Sequence, residues 1–460
     1  MRRLSQTSLP WNMVPAIFTL AWPTMLEQLM QTAVQYVDTA MVGTLGTQAT
    51  AAVGSTSTVN WLVGSTISAV SVGFLAYIAQ ACGAGRPDQA KRASAQASLS
   101  VLILGLAFTA ITLGFSGWIP VWMQVDPSIR KIASTYFFIV YAPMLFRTAT
   151  IIFGTVLRAV GDCKTPMWVG IWVNIVNVVL NVLFIFPTSQ IQLFGTTVTI
   201  YGANLGVIGA ALASAIAFAV GGIIITIKLF THPTISPIGL SLKPDMEVLR
   251  PCLQVALPNC MQRFATSFGY VVFAAMINSL GDISTAAHSI ANTVESAFYI
   301  PGYGMQTAAA TLAGNAWGAR DKQRIRDLTK MIIVIEVTLM VVSGGLLFIF
   351  APQMMGLFSK QTQVILLGAT VLQMVAVSEP IYGVSIIIEG MMQGMGNTRL
   401  PLIFNIAGMW GIRIVGTYLC TQVLDMGLIS AWACMICHNV FLFGAFAYLC
   451  ATNRHIPRTS

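Results

Sequence analysis

The chain has 460 residues, of which 56% are hydrophobic and 8% charged, with a net charge of +9 and a mean hydropathy of +0.77. Soluble globular domains carry about 25% charged residues, so this composition excludes a soluble protein and points to one embedded in a membrane. Apolar runs of about 20 residues recur, which argues helical spans rather than a β-barrel.

Twelve spans are predicted, at about 14–42, 50–82, 92–120, 132–160, 166–188, 204–230, 251–279, 286–316, 327–350, 363–393, 400–422 and 427–452, each long enough to cross a bilayer core. Arg2-Arg3 lacks the rest of a twin-arginine signal, and no small-residue cleavage site follows, so no removable leader is expected. The first span carries a polar stripe: Thr24, Glu27, Gln31, Gln35 and Asp38 fall within about 80° of one another on a helix. Tyr36 lies on the opposite face. Lipid cannot solvate two carboxylates, so the stripe must face protein or water, and a polar cavity is the working expectation. Asp38 sits at mid-span, where a carboxyl group taken out of water can bind and release a proton near neutral pH. Glu27, about 16 Å toward the cytoplasmic end, is expected to line an entrance together with Gln31, Gln35 and Tyr36. On the fifth span, Asn174, Asn177 and Asn181 share one face and form a candidate ion or proton network, or alternatively an interhelical hydrogen-bonding set.

The connector at 231–250 is the most polar and proline-rich. It divides the chain into an N-lobe (1–230), a linker and a C-lobe (251–460). Laid over one another from Pro23 and Pro258, the halves align without a gap over a long distance: Gly46 meets Gly281, Gly83 meets Gly318 and Gly161 meets Gly396. Later the register changes, with Gly206 meeting Gly427 and Ala210 meeting Ala431, which leaves an insertion in the first half around TSQIQLFGTTVTIYGAN. Six spans per half make the repeat parallel, with a substrate path expected between the halves. The second half is no copy, because Phe273 stands at the position of Asp38 and Gln262 at that of Glu27. It carries Glu295, Glu379 and Glu389 instead, with Arg263 and Arg413 expected as counter-charges, and Arg147 in the same role for the first half. That count gives −2 + 1 intramembrane charges in the first half and −3 + 2 in the second. Glu379-Pro380 is the most suggestive of these, since proline frees a carbonyl beside a mid-helix carboxylate.

With the N-terminus inside, eighteen of the 24 basic residues fall at the cytoplasmic side or its span ends, Arg2, Arg3 and Arg458 among them. The basic charge therefore reads as membrane topology with both termini cytoplasmic, not as nucleic-acid binding. Eight cysteines lie mostly in apolar runs and behave as small hydrophobes. Cys434-Met-Ile-Cys437-His438 has haem-attachment spacing, but its mid-span setting leaves no room for a haem-bearing domain. His288 and His438 are expected as packed or hydrogen-bonded histidines. GxxxxGK[ST] does not occur, which argues against an ATP-driven pump.

PTMLEQLMQTAVQYVDTAMVGTLG resembles the first span of the multidrug and toxic compound extrusion (MATE) family. GTVLRAVGDCKTP, echoed by EGMMQGMGNTRLP, and the loops AQACGAGRPDQAKR and GNAWGARDKQRIR are similar to motifs of that family at the same places. The resemblance covers nearly the whole chain. It implies two six-helix lobes forming a V-shaped exporter driven by inward flow of H⁺ or Na⁺, and no enzymatic activity. The family's first-span aspartate maps onto Asp38, its fifth-span Asn and Asp onto Asn177 and Asn181, and the facing sixth-span positions onto Ala210 and Ser214. An amide at Asn181 removes a charge that would favour a hard cation.

The sequence thus predicts an all-α integral membrane protein of twelve helices, a cation-coupled antiporter exporting organic, cationic or amphipathic compounds. H⁺ or Na⁺ is the coupling ion, favouring H⁺, with no other cofactor, and no metal beyond Na⁺. Glu295, Glu379 and Arg263 are candidates for a second cation or substrate site. Expected partners are a small organic substrate and the lipid bilayer, with no nucleic acid, and the chain is taken as a monomer of the inner or plasma membrane. The alternatives are a flippase for lipid-linked precursors or polysaccharides and, from a different class, a channel or structural membrane protein.

Overall fold

The computed structural model describes residues 11–123, 125–193 and 196–457; Arg2, Arg3 and Arg458, counted above for topology, lie outside them. The chain is built of helices: α1 (Val14–Gly43), α2 (Thr47–Gly83), α3 (Pro87–Gly114), the short α4 (Ile119–Trp122), α5 (Arg130–Tyr141), α6 (Met144–Ala159), α7 (Lys164–Ile185) and α8 (Gly206–Phe230) in the first half. The second half holds α9 (Met246–Asn278), α10 (Asp282–Phe298), α11 (Ile300–Gly318), α12 (Lys322–Phe358), α13 (Thr362–Gly394), α14 (Arg399–Ile406), α15 (Val415–Tyr418) and α16 (Leu428–Ala451). Among the described residues nine helices are long and apolar enough to cross a membrane, ten when α5 and α6, bent by 48°, count as one. Two more complete the twelve spans. α1 is diluted by its own glutamines and carboxylates, and the eighth span is interrupted at Tyr299, just before Pro301, into α10 and α11. Bulky apolar side chains such as Ile103, Leu106, Trp172, Ile349 and Val377 stand exposed on these helices, as a surface solvated by lipid allows.

The insertion in the first half is not an extension of helix. It folds as an antiparallel hairpin, β1 (Pro187–Leu193) against β2 (Thr196–Ala203), with Leu193 opposite Thr196 and Pro187 opposite Ala203. The eleventh span also departs from a plain helix, because Ala407–Ile414 and Leu419–Val423, on either side of α15, are wound as wider π turns.

The repeat is written into the backbone. Positive φ angles recur at repeat mates: Gly46 and Gly281 (109° and 99°), Gly161 and Gly396 (90° and 84°), and Gly85 and Arg320 (68° and 57°). After the insertion they recur in the changed register, at Asn204 and Asp425 (53° and 52°). Arg320 holds by context a left-handed conformation that its repeat mate takes at no steric cost.

By contacts the chain divides into two compact units. One combines the chain up to Met25 with Leu75–Arg86 and everything from Pro251; the other is Leu26–Phe74 with Pro87–Arg250. Boundaries therefore fall inside α1 and α2 as well as near the connector. Within the first unit Ile17 and Ala21 of α1 are buried among Met305, Leu312, Met331, Ile387 and Phe446, and Thr24 Oγ1 donates to Gly304 O at 2.8 Å. In the same unit the end of α2 crosses the end of α11 with almost no space. A Cβ at Gly83 would lie 1.9 Å from Asn315 O, and one at Gly318 would lie 2.0 Å from Gln80 O. Only glycine lets the two backbones approach so closely. In the other unit the connector is tied to α3: Arg92 Nη2 meets Asp245 Oδ2 at 2.6 Å and Glu247 Oε2 at 2.8 Å, and Gln96 Nε2 donates to Lys243 O at 2.9 Å.

Candidate functional site

Helical periodicity places Asn177 and Asn181 one turn apart on α7, and packing turns that face toward Asp38 of α1 and Ser214 of α8. Asn181 Nδ2 donates to Asp38 Oδ1 at 2.5 Å and to Asn177 Oδ1 at 3.1 Å, and Asn177 Nδ2 reaches Ser214 Oγ at 3.2 Å. With the Asn177 amide turned over, its nitrogen donates to Asp38 Oδ1 at 2.8 Å and Oδ2 at 3.3 Å, while its oxygen accepts from Ser214 Oγ. Asn181 Oδ1 and Asn174 Nδ2 are buried without a hydrogen-bond partner. Ala210 offers no ligand atom; it packs against Val42, Ala49 and Ile185. Tyr136 of α5, not singled out in the sequence, packs against that cluster within electrostatic reach of Asp38.

The rest of the α1 stripe does not act as one surface. Glu27 is claimed by Arg158 at the end of α6, whose Nη2 lies 2.6 Å from both carboxylate oxygens, and both side chains are largely buried. It is an ion-paired group rather than a free entrance lining. Gln31, Gln35 and Tyr36 are exposed. Arg147 is no counter-charge to Asp38, because its guanidinium donates to Asn60 Oδ1 and lies 5.1 Å from the Phe218 ring.

The second half gathers carboxyl groups instead. Glu295 of α10 accepts from Tyr299 O–H at 2.5 Å. Glu379 of α13 is fully buried, and neither of its oxygens has a hydrogen-bond partner, the neighbouring Tyr299 hydroxyl being donated to Glu295. Glu336 of α12 is likewise buried without a donor, and the sequence count omitted it although it stands in the apolar run IIVIEVTLMVV. The intramembrane count for the second half is therefore −4 + 2. Glu295 and Glu336 are the charged neighbours of Glu379. Glycines make the room: a Cβ at Gly302 or Gly383 would lie 2.9 or 3.1 Å from Glu336 Oε1, and one at Gly344 would lie 3.2 Å from Glu379 Cβ.

The expected counter-charges do not pair with these acids. Among the described residues no ion pair joins Arg263 or Arg413 to a carboxylate. Arg413, 3% exposed, is held between aromatic faces, its guanidinium 4.1 Å from the Phe273 centroid and 4.7 Å from that of Tyr270. Glu389 takes three amide donors, Gln262 at 2.8 Å, Gln393 at 3.0 Å and Asn405 at 3.1 Å, which marks it as a helix-joining group. His288 packs edge-on between Phe273 and Trp432, and His438 is buried against Gly408.

Chemically, the first half offers one carboxylate within reach of two amides, one of which also meets the Ser214 hydroxyl, and the second half offers four carboxyl oxygens, those of Glu336 and Glu379, without a hydrogen-bond partner. Both arrangements can take a small cation or a proton, and no nucleophile with an attached base is part of either. A family model described as MatE matches residues 23–183 and again 258–419, and its two starting points, Pro23 and Pro258, are themselves mates in the internal repeat. The chain is 26% identical over 442 residues to "Probable multidrug resistance protein NorM" of Thermotoga maritima, covering 95% of this chain and 93% of that one. It is 24% identical over 419 residues to "Probable multidrug resistance protein YoeA" of Bacillus subtilis, covering 89% and 87%. A solved structure described as an outward-facing conformation of a multidrug resistance MATE family transporter of the MOP superfamily superposes with a TM-score of 0.87 at 22% identity, covering 95% of each chain. That likeness shows the fold.

Proposed function

Starting from the fact that this chain belongs to the MatE family of multi-pass membrane transporters, we propose that it is a proton-coupled antiporter exporting organic cationic or amphipathic compounds, with Asp38 as the coupling group. The observation that carries this reading is the contact between Asp38 and Asn177. One amide atom of Asn177 stands 2.8 Å from Asp38 Oδ1. With Asp38 ionised, that atom is the nitrogen, and it donates. With a proton on Asp38, the amide turns, the carboxylic O–H donates to its oxygen, and the other end still meets Ser214. A serine hydroxyl both donates and accepts, so it follows either orientation. Proton arrival is thereby converted into a reordering of hydrogen bonds between α1, α7 and α8, the kind of two-state element on which alternating access depends.

Glu379, Glu336 and Glu295 are, in this reading, a second acceptor for protons or for the substrate's positive charge. The distribution of basic residues supports cytoplasmic termini, and the chain is read as a monomer of the cell membrane. The test is export from proteoliposomes with the H⁺ and Na⁺ gradients imposed separately. A pH gradient alone is expected to drive uphill export. Full transport on a Na⁺ gradient with the pH gradient collapsed, lost when K⁺ replaces Na⁺, would overturn the proton assignment. A compound that only equilibrates under every gradient would point to a channel.

A further inference from the structure

Two thiols that the transport reading does not use lie on the helices of the eleventh and twelfth spans, Cys420 in the wide turns Leu419–Val423 and Cys434 within α16. Cys420 Sγ and Cys434 Sγ lie 4.0 Å apart. The approach is built by the helices. Gly416 sits one turn before Cys420, and a Cβ there would lie 3.0 Å from Cys434 Sγ, so a larger residue would push α16 away. Beyond Gly416 the helix widens. Leu424 N–H donates to Leu419 O at 3.0 Å and Met426 N–H to Cys420 O at 2.8 Å, spans of five and six residues where an α-helix has four. This wide winding runs through Cys420 itself. Each thiol is half-buried, so neither is sealed from a small reagent.

We propose that Cys420 and Cys434 form a redox-modifiable dithiol that closes to a disulfide and fixes the wide turn of the eleventh span against the twelfth. A disulfide bond needs the sulfurs at about 2.05 Å, a closure of about 2 Å from the separation seen here. The oxidant is a small external disulfide. A thiolate of one cysteine attacks it and releases one thiol, and the second cysteine displaces the other half from the mixed disulfide. Two protein thiols lose two electrons and two protons, and the external disulfide is reduced to two thiols. On the orientation proposed above the connection between these two helices faces outward, the side on which disulfides persist. The chemistry itself is independent of that orientation and of the transport reading.

The test uses the full-length protein in detergent micelles with oxidised glutathione as the probe. The expected result is the loss of two of the eight free thiols. Peptide mapping without reductant should give one linked pair carrying Cys420 and Cys434, and the unfolding temperature should rise by a few degrees and return with dithiothreitol. Cys420→Ser and, independently, Cys434→Ala are expected to abolish both the link and the temperature shift. Retention of all eight thiols, a glutathione adduct on either cysteine that never resolves, a link through Cys437 instead, or a temperature shift that survives both variants overturns the proposal.

Discussion

The two halves share a backbone and differ in how they spend charge. At one set of repeat-related positions the first half places a buried ion pair, Glu27 with Arg158. The second half places Gln262 and Gln393 there and seats Glu389 between them, at the position where the first half has Gly154. At another set, Asn60 receives Arg147, whereas Glu295 stands at the place of Asn60 and Tyr382 at that of Arg147. At a third, Asp38 meets amides, whereas Phe273 meets the guanidinium of Arg413. Positive φ angles repeat to within about 11° at Gly46 and Gly281, Gly85 and Arg320, Gly161 and Gly396, and Asn204 and Asp425, though not at Gly206 and Gly427, where φ is 54° and −78°. The fold is thus set by turns and small residues, while the polar positions are free to diverge: the first half keeps Asp38 beside the amides of Asn177 and Asn181, and the second half seats Glu389 among three others.

Removing that carboxylate is the most severe way to break the comparison. Asp38→Asn, which keeps size and hydrogen bonding, is expected to abolish gradient-driven export while the protein remains inserted and monodisperse. Export at the wild-type rate under the same gradient would make Asp38 structural. Next in size is the ion pair. Glu27→Gln or Arg158→Gln alone is expected to cost about 3–5 kcal/mol by breaking a buried ion pair from one side. The double substitution, which copies Gln262 and Gln393, should regain most of that loss. Unfolding in detergent across the four proteins measures it, and a double variant no more stable than either single one would show that amides cannot stand in.

A smaller effect tests the crossing of α2 and α11. Gly83→Ala and Gly318→Ala are each expected to cost about 1–3 kcal/mol, the range for forced overpacking. The two losses should match within about 1 kcal/mol because the contacts are repeat mates. A harmless Gly83→Ala would mean the helices part easily there. The smallest change sharpens the comparison rather than breaking it. Arg320→Gly restores the residue type of its mate Gly85 and is expected to stabilise by up to about 1 kcal/mol, the left-handed strain of arginine less the added chain entropy of glycine. A lowered unfolding temperature would show that the arginine side chain contributes more than its backbone costs.

Much of the fold was legible because bilayer crossing imposes length and apolarity on each span, and because a gapless repeat is visible in Pro23, Gly46, Gly83 and Gly161 and their mates. That Asn177 and Asn181 share one face was legible for a similar reason, the period of a helix; that Asp38 belongs with them was implied by the family resemblance alone. Partners across helices were not, since they depend on how each helix rotates about its own axis. Arg147 on Asn60, Arg158 on Glu27 and Arg413 on Phe273 are all of this kind. Glu336 was overlooked, although a carboxylate inside IIVIEVTLMVV meets the same criterion that singled out Glu379. The hairpin at Pro187–Ala203 also left a signal. Thr-Val-Thr-Ile-Tyr is a run of β-branched residues ending in an aromatic one, with threonine alternating with Val and Ile at the period of a strand.

The crossing at Gly83 and Gly318 has the form of an isologous interface, in which a patch meets its own copy: residue 83 touches 315, and 318 touches 80. In a homodimer related by a two-fold axis, any mutation in such a patch strikes both sides at once, so the contact can change only symmetrically. Carrying both copies in one chain removes that restriction. Gln80, one methylene longer than its mate Asn315, already reaches Gly394 O at 3.0 Å, and Arg320 has replaced a glycine on one side only. Each side of the crossing can therefore be tuned without retuning the other, a freedom that a protein assembled from two identical subunits lacks.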